Sequence, residues 1–228
     1  MAYCKINLET LAVVSGPEDL PPALMGLLPE SLVDLGWTDP ALGMIGCGYW
    51  LTTEEAVELP SALTHQIVAD PDRAPLVDED AKSITMPRKV VPLPADVLAA
   101  NLAARQGAKV DAINVERDRR LALGVTHGGK TFGTDVLTRT DLGGMATTAA
   151  LVLAGALDWP DSYAQGWIAM DNSRLPLPAP QDGIALAAAV AGTYSAVVQH
   201  ARDLMDAALQ SNEPEAIDQT LGWPQQAR

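Results

Sequence analysis

One uninterrupted stretch, residues 95–123, constrains the fold more than any other part of the chain. It reads ADVLAANLAARQGAKVDAINVERDRRLAL and contains no proline, whereas residues 61–94 contain five. Because proline breaks helix interiors, the sequence predicts one long helix here and excludes a long helix just upstream. Glu116 precedes Arg120 by four residues, which favours a helical ion pair, and Gly124 is a natural helix end. At about 1.5 Å per residue, such a helix is on the order of 40 Å long.

Apolar side chains recur on roughly one side of this helix, separated mostly by alanine. They are Leu98, Leu102, Val110 and Ile113, with Arg117 one turn beyond. So thin a stripe on a long helix is typical of packing against a second copy of the chain, or of one face lying on its own domain. The sequence leaves both alternatives open. Under the first, these five residues are the candidate assembly residues.

The next eight residues, GVTHGGKT at 124–131, have the spelling of a phosphate-binding P-loop. A P-loop needs a buried strand before it and a helix that starts at its lysine, so that backbone amides surround the phosphates. Here a charged helical run precedes the motif, and TFGTDVLTRTDLGG, which has no helical period, follows it. We therefore expect a β-hairpin that turns at Gly128-Gly129, with Lys130 solvated and Phe132 packed inward. No cofactor is expected.

The N-terminal region, up to residue 93, has a mixed pattern. CKINLETLAVVSG, LTHQIVA and KSITM favour short strands, because they contain β-branched residues and turn signals. A short helix is expected to begin near Ser31, which can cap it, and TTEEAVELP predicts an acidic helical turn. VPLP reads as a linker into the long helix.

The C-terminal region predicts helices and a second hairpin. LTRTDLGG reads as a polar turn before a small-residue helix of about three turns. A hairpin is expected at 167–177, with its turn at Asp171-Asn172, followed by a helix over 182–210. EPEAIDQTL predicts a last short helix.

These elements predict an α+β fold. We expect a small mixed N-terminal domain over 1–93 and a long linking helix over 94–124. A compact helical domain with two short β-hairpins is expected over 125–228.

Charge and residue types exclude several functions. The chain has 15 Lys+Arg against 29 Asp+Glu, a formal net charge of −14, so nucleic acid and anionic membranes are not expected partners. The apolar stretch MATTAALVLAGAL is too short to span a bilayer, and no signal peptide is visible at the N-terminus. Cys4 and Cys47 lack the spacing of a zinc site and are either paired or idle thiols.

No catalytic constellation is visible in the sequence. The three histidines, His65, His127 and His200, lie in separate elements without a nucleophile or an acid beside them. We therefore expect a protein that is not an enzyme and has no catalytic residues, no metal site and no cofactor.

Several spaced blocks resemble a known family. INVERDRRLALGVTHGGKTFGTD, GGMATTAALVLAG, GWIAMDNSRLPLPA and a closing LGWP are similar to a C-terminal domain family of tail-fibre and baseplate proteins of tailed bacteriophages. This family also occurs in prophages and in gene-transfer-agent-like particles. The resemblance is strongest over about 95–228. The matching positions are Asn114, Glu116, Arg117, Arg119, Arg120, Gly129, Phe132, Trp167, Asp171, Asn172 and Trp223.

The resemblance implies a structural protein of the virion tail, synthesised in the host cytoplasm. Its implied partners are other tail and baseplate proteins and further copies of itself, and a homotrimer is expected because fibres surround a tail axis. Two alternatives stay open. The chain is then either a tail-fibre assembly chaperone absent from the mature virion, or a receptor-binding module that contacts a host cell-surface glycan or protein. For the latter, Trp159 and Trp167 are the candidate glycan contacts, with Tyr163 between them.

Overall fold

Alternating side chains in the first part of the chain build a sheet that is covered on both faces. The computed structural model describes residues 2–224, which divide after Leu98 into two compact units. Within the described residues, the first unit has seven strands: β1 (Tyr3–Asn7), β2 (Val13–Glu18), β3 (Cys47–Glu54), β4 (His65–Ala69), β5 (Leu76–Asp78), β6 (Ser83–Met86) and β7 (Arg88–Pro92).

Five of these strands form one mixed sheet in the order β2-β1-β3-β6-β5, in which only β3 and β6 are parallel. Side chains alternate between its faces, as the two-residue period of a strand requires. Tyr3 and Tyr49 pack on one face with leucines of the 20–35 segment, whereas Cys4, Ile6 and Trp50 pack on the other. Strands β4 and β7 form a separate antiparallel pair.

The strands predicted in this unit are confirmed, but its helical turns are placed differently. Helix α1 (Pro29–Leu32) is one turn that begins at a proline, so Ser31 lies inside it and does not cap it. Thr52–Glu54 lie in β3, where Thr52 is aligned with Ile84, so the acidic helical turn predicted there is wrong. The β-branched threonines favour the strand.

Two further expectations for this unit are resolved. Val91 and Pro92 belong to β7 rather than to a linker, and Pro92 lies at the strand end, where a missing N–H is tolerated. Cys4 and Cys47 are both free thiols.

The second unit is mainly helical, as predicted. Its remaining elements, with the helix that enters it, are α2 (Ala95–Ala122), β8 (Val125–His127), β9 (Lys130–Phe132), α3 (Val136–Leu153), α4 (Asp161–Ala164), β10 (Trp167–Ile168), β11 (Arg174–Leu175) and α5 (Pro180–Gln210). The long helix, both hairpins and the helix that ends at Gln210 are therefore confirmed. The fold is α+β.

Helix α3 begins earlier than the sequence predicted. The predicted polar turn is helical because the Asp135 side chain caps it, accepting a hydrogen bond from the Thr138 N–H at 2.9 Å. The hydroxyls of Thr140 and Thr147 bond carbonyls four residues back, so these polar side chains are accommodated in the helix. The predicted last helix is only a 3₁₀ turn, Pro214–Ala216.

Two clusters form the core of this unit. The first joins α3, α5 and both hairpins through Phe132, Leu142, Met145, Leu186 and Val190, together with their neighbours. The second joins α2, the later part of α5 and the C-terminal segment; it contains Ile113, Val197, Ala201, Ala208 and Trp223.

Candidate functional site

A cavity of about 510 Å³ lies between the start of α3 and the second hairpin, β10–β11. Its volume is within the range of about 300–1,000 Å³ typical of small-molecule sites. Aromatic, charged and hydroxyl side chains line it together. The lining residues are Gly133, Asp135, Thr138, Asp141, Ser162, Tyr163, Gly166, Trp167, Ile168, Ala169, Met170 and Arg174.

Backbone geometry at Gly166 fixes one wall of this cavity. Gly166 has φ +114, and a Cβ placed there would lie 2.4 Å from the Leu175 carbonyl oxygen. The glycine therefore allows β10 to approach β11 closely enough for Trp167 to align with Leu175. The Arg174 guanidinium donates to the Gly166 carbonyl oxygen at 3.3 Å, across the same pair of strands.

Hydrogen bonds attach this wall to the first hairpin. The Met170 N–H donates to the Thr131 carbonyl oxygen at 2.9 Å, and Lys130 Nζ donates to Ser173 Oγ at 2.7 Å. Ser173 in turn donates from its N–H and its hydroxyl to the Asp171 carboxylate. These bonds lower the pKa of Asp171. The two hairpins therefore position the cavity together.

Three aromatic rings run along this side of the unit. The centroids of Trp159 and Tyr163 are 5.2 Å apart, and those of Tyr163 and Trp167 are 6.1 Å apart, with the rings tilted by about 40° in each pair. All three residues are half-buried against the first core cluster. Tyr163 and Trp167 line the cavity, and Trp159 is not among its lining residues.

The structure therefore separates the two tryptophans that the sequence suggested as glycan contacts. Trp159 Nε1 donates to the Leu177 carbonyl oxygen at 2.9 Å. Its ring packs against Gly183 on α5, where an added Cβ would lie 3.0 Å from a ring carbon. Trp159 is thus part of the packing, whereas Trp167 faces the cavity.

Charged groups of both signs lie at the cavity. Asp135 is engaged in capping, since it accepts from both the N–H and the hydroxyl of Thr138, and these bonds lower its pKa. Asp141 is exposed, and its carboxylate has no hydrogen-bond or ion-pair partner among residues 2–224. Arg174 is also exposed. The sequence analysis did not single out Asp141 or Arg174, because these two residues are 33 positions apart along the chain and lie on different elements.

The candidate assembly residues of α2 lie in different environments. Ile113 is fully buried in the second core cluster, beside Val197 and Trp223. At this position α2 therefore packs against its own unit, and Ile113 is not available to a second copy of the chain. Leu98, Leu102 and Val110 are half-buried.

Arg117, the fifth candidate, bonds within its own helix. Its guanidinium donates to the Asn114 side chain at 2.8 Å and pairs with Asp118 at 2.7 Å.

A row of polar side chains on α2 holds the C-terminal segment, a feature that the sequence analysis missed. Arg105 donates to the Glu215 carboxylate and to the Asn212 carbonyl oxygen, and Gln106 donates to two further carbonyls. Lys109 Nζ donates to the Ile217 carbonyl oxygen at 2.8 Å. The spacing of Arg105 and Lys109, one helical turn apart, was the available signal. With Gln106 included, four of the seven acceptor atoms of this row are backbone carbonyls, which carry no sequence signature.

Glu116 extends this row, and its predicted ion pair is confirmed. Its carboxylate accepts from Arg119 at 2.7 Å and from Arg120 at 2.6 Å, and these bonds lower its pKa to about 2. The bond from Arg105 likewise lowers the pKa of Glu215 to about 2. Arg120 also lies over the Trp223 ring, 5.7 Å from its centroid.

We expect the stability of this unit to fall in acid. A carboxylate whose pKa is lowered by folding contributes stability above its unfolded pKa, and this is lost as pH falls from about 5 towards 2. Urea unfolding should therefore show a lower midpoint at pH 3 than at pH 7. Glu116→Gln should reduce this difference, whereas Asp111→Asn, on an exposed position of the same helix, should leave it unchanged. An equal pH dependence in all three proteins would contradict the assignment.

The stretch spelled like a P-loop is a hairpin, as predicted. Val125 pairs with Phe132 and His127 with Lys130, and the turn residues Gly128 and Gly129 have φ +56 and +76. Phe132 is 1% exposed, which confirms its inward packing. Lys130 is half-buried and bonded to Ser173, so its description as a solvated residue is wrong.

Two further features concern metal ions and membranes. Within the described part of the chain, no group of three or more His, Cys, Asp or Glu side chains is placed to hold a metal ion. Helix α5 is long and apolar enough to cross a membrane by length and composition alone. One such helix is weak evidence of a membrane span, and six of its residues are buried.

Comparison with known proteins gives one match. No curated protein and no solved structure matches the chain. Residues 104–221, just over half of the chain, match the family described as "Domain of unknown function (DUF4376)". This span covers most of α2, both hairpins, the cavity and α5, and the chain therefore belongs to the DUF4376 family.

Proposed function

We propose that the chain is a structural component of a phage tail, as a tail-fibre or baseplate protein that mediates subunit assembly and host attachment. Support comes from the sequence resemblance over about 95–228 and from what its residues do in the fold. Phe132 and Trp223 are buried in the two core clusters, and Glu116 carries the arginine network on α2. Asn172 supplies the positive φ of the second hairpin turn. The residues that carry the resemblance thus serve the packing and the turns of the second unit, as expected of a structural protein.

The outward side of α2 is the observation that carries the assembly part of this proposal. Val115 is 69% exposed and Val97 is 36% exposed, and the exposed positions between them are alanines apart from Gly107 and Asp111. An exposed helix side made mostly of small residues allows a second helix to approach closely. The partner that we propose is another copy of this chain, arranged with three-fold symmetry.

The location and mass of the protein test this proposal. We expect the chain in purified phage or prophage particles by mass spectrometry, and a solution mass of about three times 24.0 kDa by light scattering. An assembly chaperone would be present in the producing cell but absent from the particle. A monomer that is absent from particles would overturn the proposal.

Substitution on the outward side of α2 should shift the oligomer. Val115→Asp places a charge in the proposed contact, so we expect the trimer to dissociate at least about tenfold more readily, because a buried unpaired charge is costly. Sedimentation over a concentration series measures this. Val136→Asp is the matched control, since Val136 is 71% exposed but lies on α3. Equal dissociation constants for the two variants would place the contact elsewhere.

A further inference from the structure

We infer that the cavity beside Trp167 is a binding site for a neutral pyranose sugar. This inference deepens the host-attachment part of the proposed function. It assigns the site to Tyr163 and Trp167 as stacking surfaces, with Asp141 and Arg174 as hydrogen-bonding groups.

The indole N–H groups single out Trp167. Four of the five tryptophans donate this group to a backbone carbonyl oxygen, at distances of 2.8 to 3.1 Å; they are Trp37, Trp50, Trp159 and Trp223. The indole N–H of Trp167 has no acceptor among residues 2–224. It is not one of the buried unpartnered groups of these residues, so it is open to solvent and has a hydrogen bond to offer to a ligand.

Other polar groups around the cavity are also unused. The Asp141 carboxylate, the Ser162 hydroxyl and the Tyr163 hydroxyl have no partner in the described part of the chain. Together with the indole N–H, they supply both acceptors and donors. A sugar hydroxyl both donates and accepts, so a polyhydroxylated ring can use this mixture, whereas an apolar side chain cannot.

The aromatic rings at the cavity suit the C–H face of a sugar. A pyranose ring presents C–H bonds on one face and hydroxyls around its edge. Tyr163 and Trp167 are tilted by 40° to each other, and both line the cavity. One aromatic ring can cover the C–H face of the sugar while the exposed charged groups reach its hydroxyls.

Charge favours a neutral ligand over an anionic one. Two carboxylates, Asp135 and Asp141, face one guanidinium, Arg174, at the cavity, and the whole chain has a formal net charge of −14. The local excess of negative charge and the net negative charge of the chain both oppose the approach of a carboxylated sugar. Galactose and galacturonate differ only in this respect at C6, and they therefore form a matched pair of probes.

Saturation-transfer NMR on the purified full chain tests the inference. The probes are glucose, galactose, N-acetylglucosamine, lactose, chitobiose and galacturonate. We expect transfer to the ring protons of at least one neutral sugar, and weaker transfer to galacturonate than to galactose. Trp167→Ala should weaken binding about tenfold, because it removes both a stacking surface and a donor.

Matched variants separate the cavity from general packing. Trp159→Phe changes a tryptophan and Asp158→Asn changes an aspartate, and neither residue lines the cavity. We expect both variants to retain binding. Asp141→Asn should weaken binding in a protein whose melting temperature is unchanged. Absence of transfer from every neutral sugar, as expected if the cavity takes a side chain of a protein partner, would overturn the inference. Equal binding by Trp167→Ala and Trp159→Phe would also overturn it. The particle and mass measurements do not involve sugars, so a failure here is distinguishable from a failure of the proposed function.

Discussion

Replacing Gly166 with alanine is expected to unfold the second hairpin and to destabilise the unit that contains it by about 3 kcal/mol or more. Two costs combine. The residue has φ +114, which side-chain-bearing residues rarely adopt, and the new Cβ would lie 2.4 Å from the Leu175 carbonyl oxygen. The contacted atom belongs to the backbone of the paired strand and cannot move without breaking that pairing. Hydrogen exchange of peptides covering 167–175, followed through a urea series, measures the loss.

Gly155→Ala is the control for this prediction. Gly155 also has a positive φ, +75, but nothing lies within 4 Å of a Cβ placed there. It therefore carries the conformational cost alone, on the order of 1 kcal/mol. The difference between the variants isolates the steric contact. Similar stabilities would show that β10 and β11 do not approach as closely as described.

Trp50→Ala is expected to have the largest effect in the first unit. Trp50 is fully buried, packs with Ile6 and Ile84, and donates its indole N–H to the Val33 carbonyl oxygen at 3.1 Å. Its removal leaves a cavity and an unpaired carbonyl, which together cost about 3–5 kcal/mol. We expect faster hydrogen exchange throughout β1 and β3, with a lower urea midpoint for the same peptides.

Trp37→Ala provides the matched comparison. Trp37 also donates its indole N–H, to the Ser31 carbonyl oxygen at 3.0 Å, but its side chain is 59% exposed. Little apolar area is buried there, so we expect a cost of at most about 1 kcal/mol. If Trp37→Ala were as destabilising as Trp50→Ala, burial would not explain the stability of this sheet.

The sequence predicts the elements of this fold better than their ends. The run at 95–123 and the run at 182–210 have a clear helical period over many residues, and both helices are found within three residues of the predicted bounds. The start of α3 at Asp135 is not visible in the hydrophobic pattern. The capping bond of Asp135 starts α3 before the helical period becomes visible, so polar residues that resemble a turn are helical.

The candidate site was predicted only in part, for a similar physical reason. Aromatic residues near 159–167 are visible in the sequence. Which of the two tryptophans packs in the core and which lines the cavity is not, because Trp159 is held by a hydrogen bond to one backbone carbonyl, that of Leu177. Asp141 joins the site only because α3 packs beside the second hairpin. Sequence patterns report which face of an element is apolar; they do not report which distant loops meet.

The row of side chains on α2 has a consequence for synthesis. Arg105 bonds the carbonyl of a residue 107 positions later in the chain. At the usual pace of translation, that acceptor leaves the ribosome about 5–20 s after the arginine that needs it. Until then the guanidinium has only water to bond. A chain terminated before Asn212 lacks this acceptor, so α2 is without one of the contacts that hold it to the rest of the second unit.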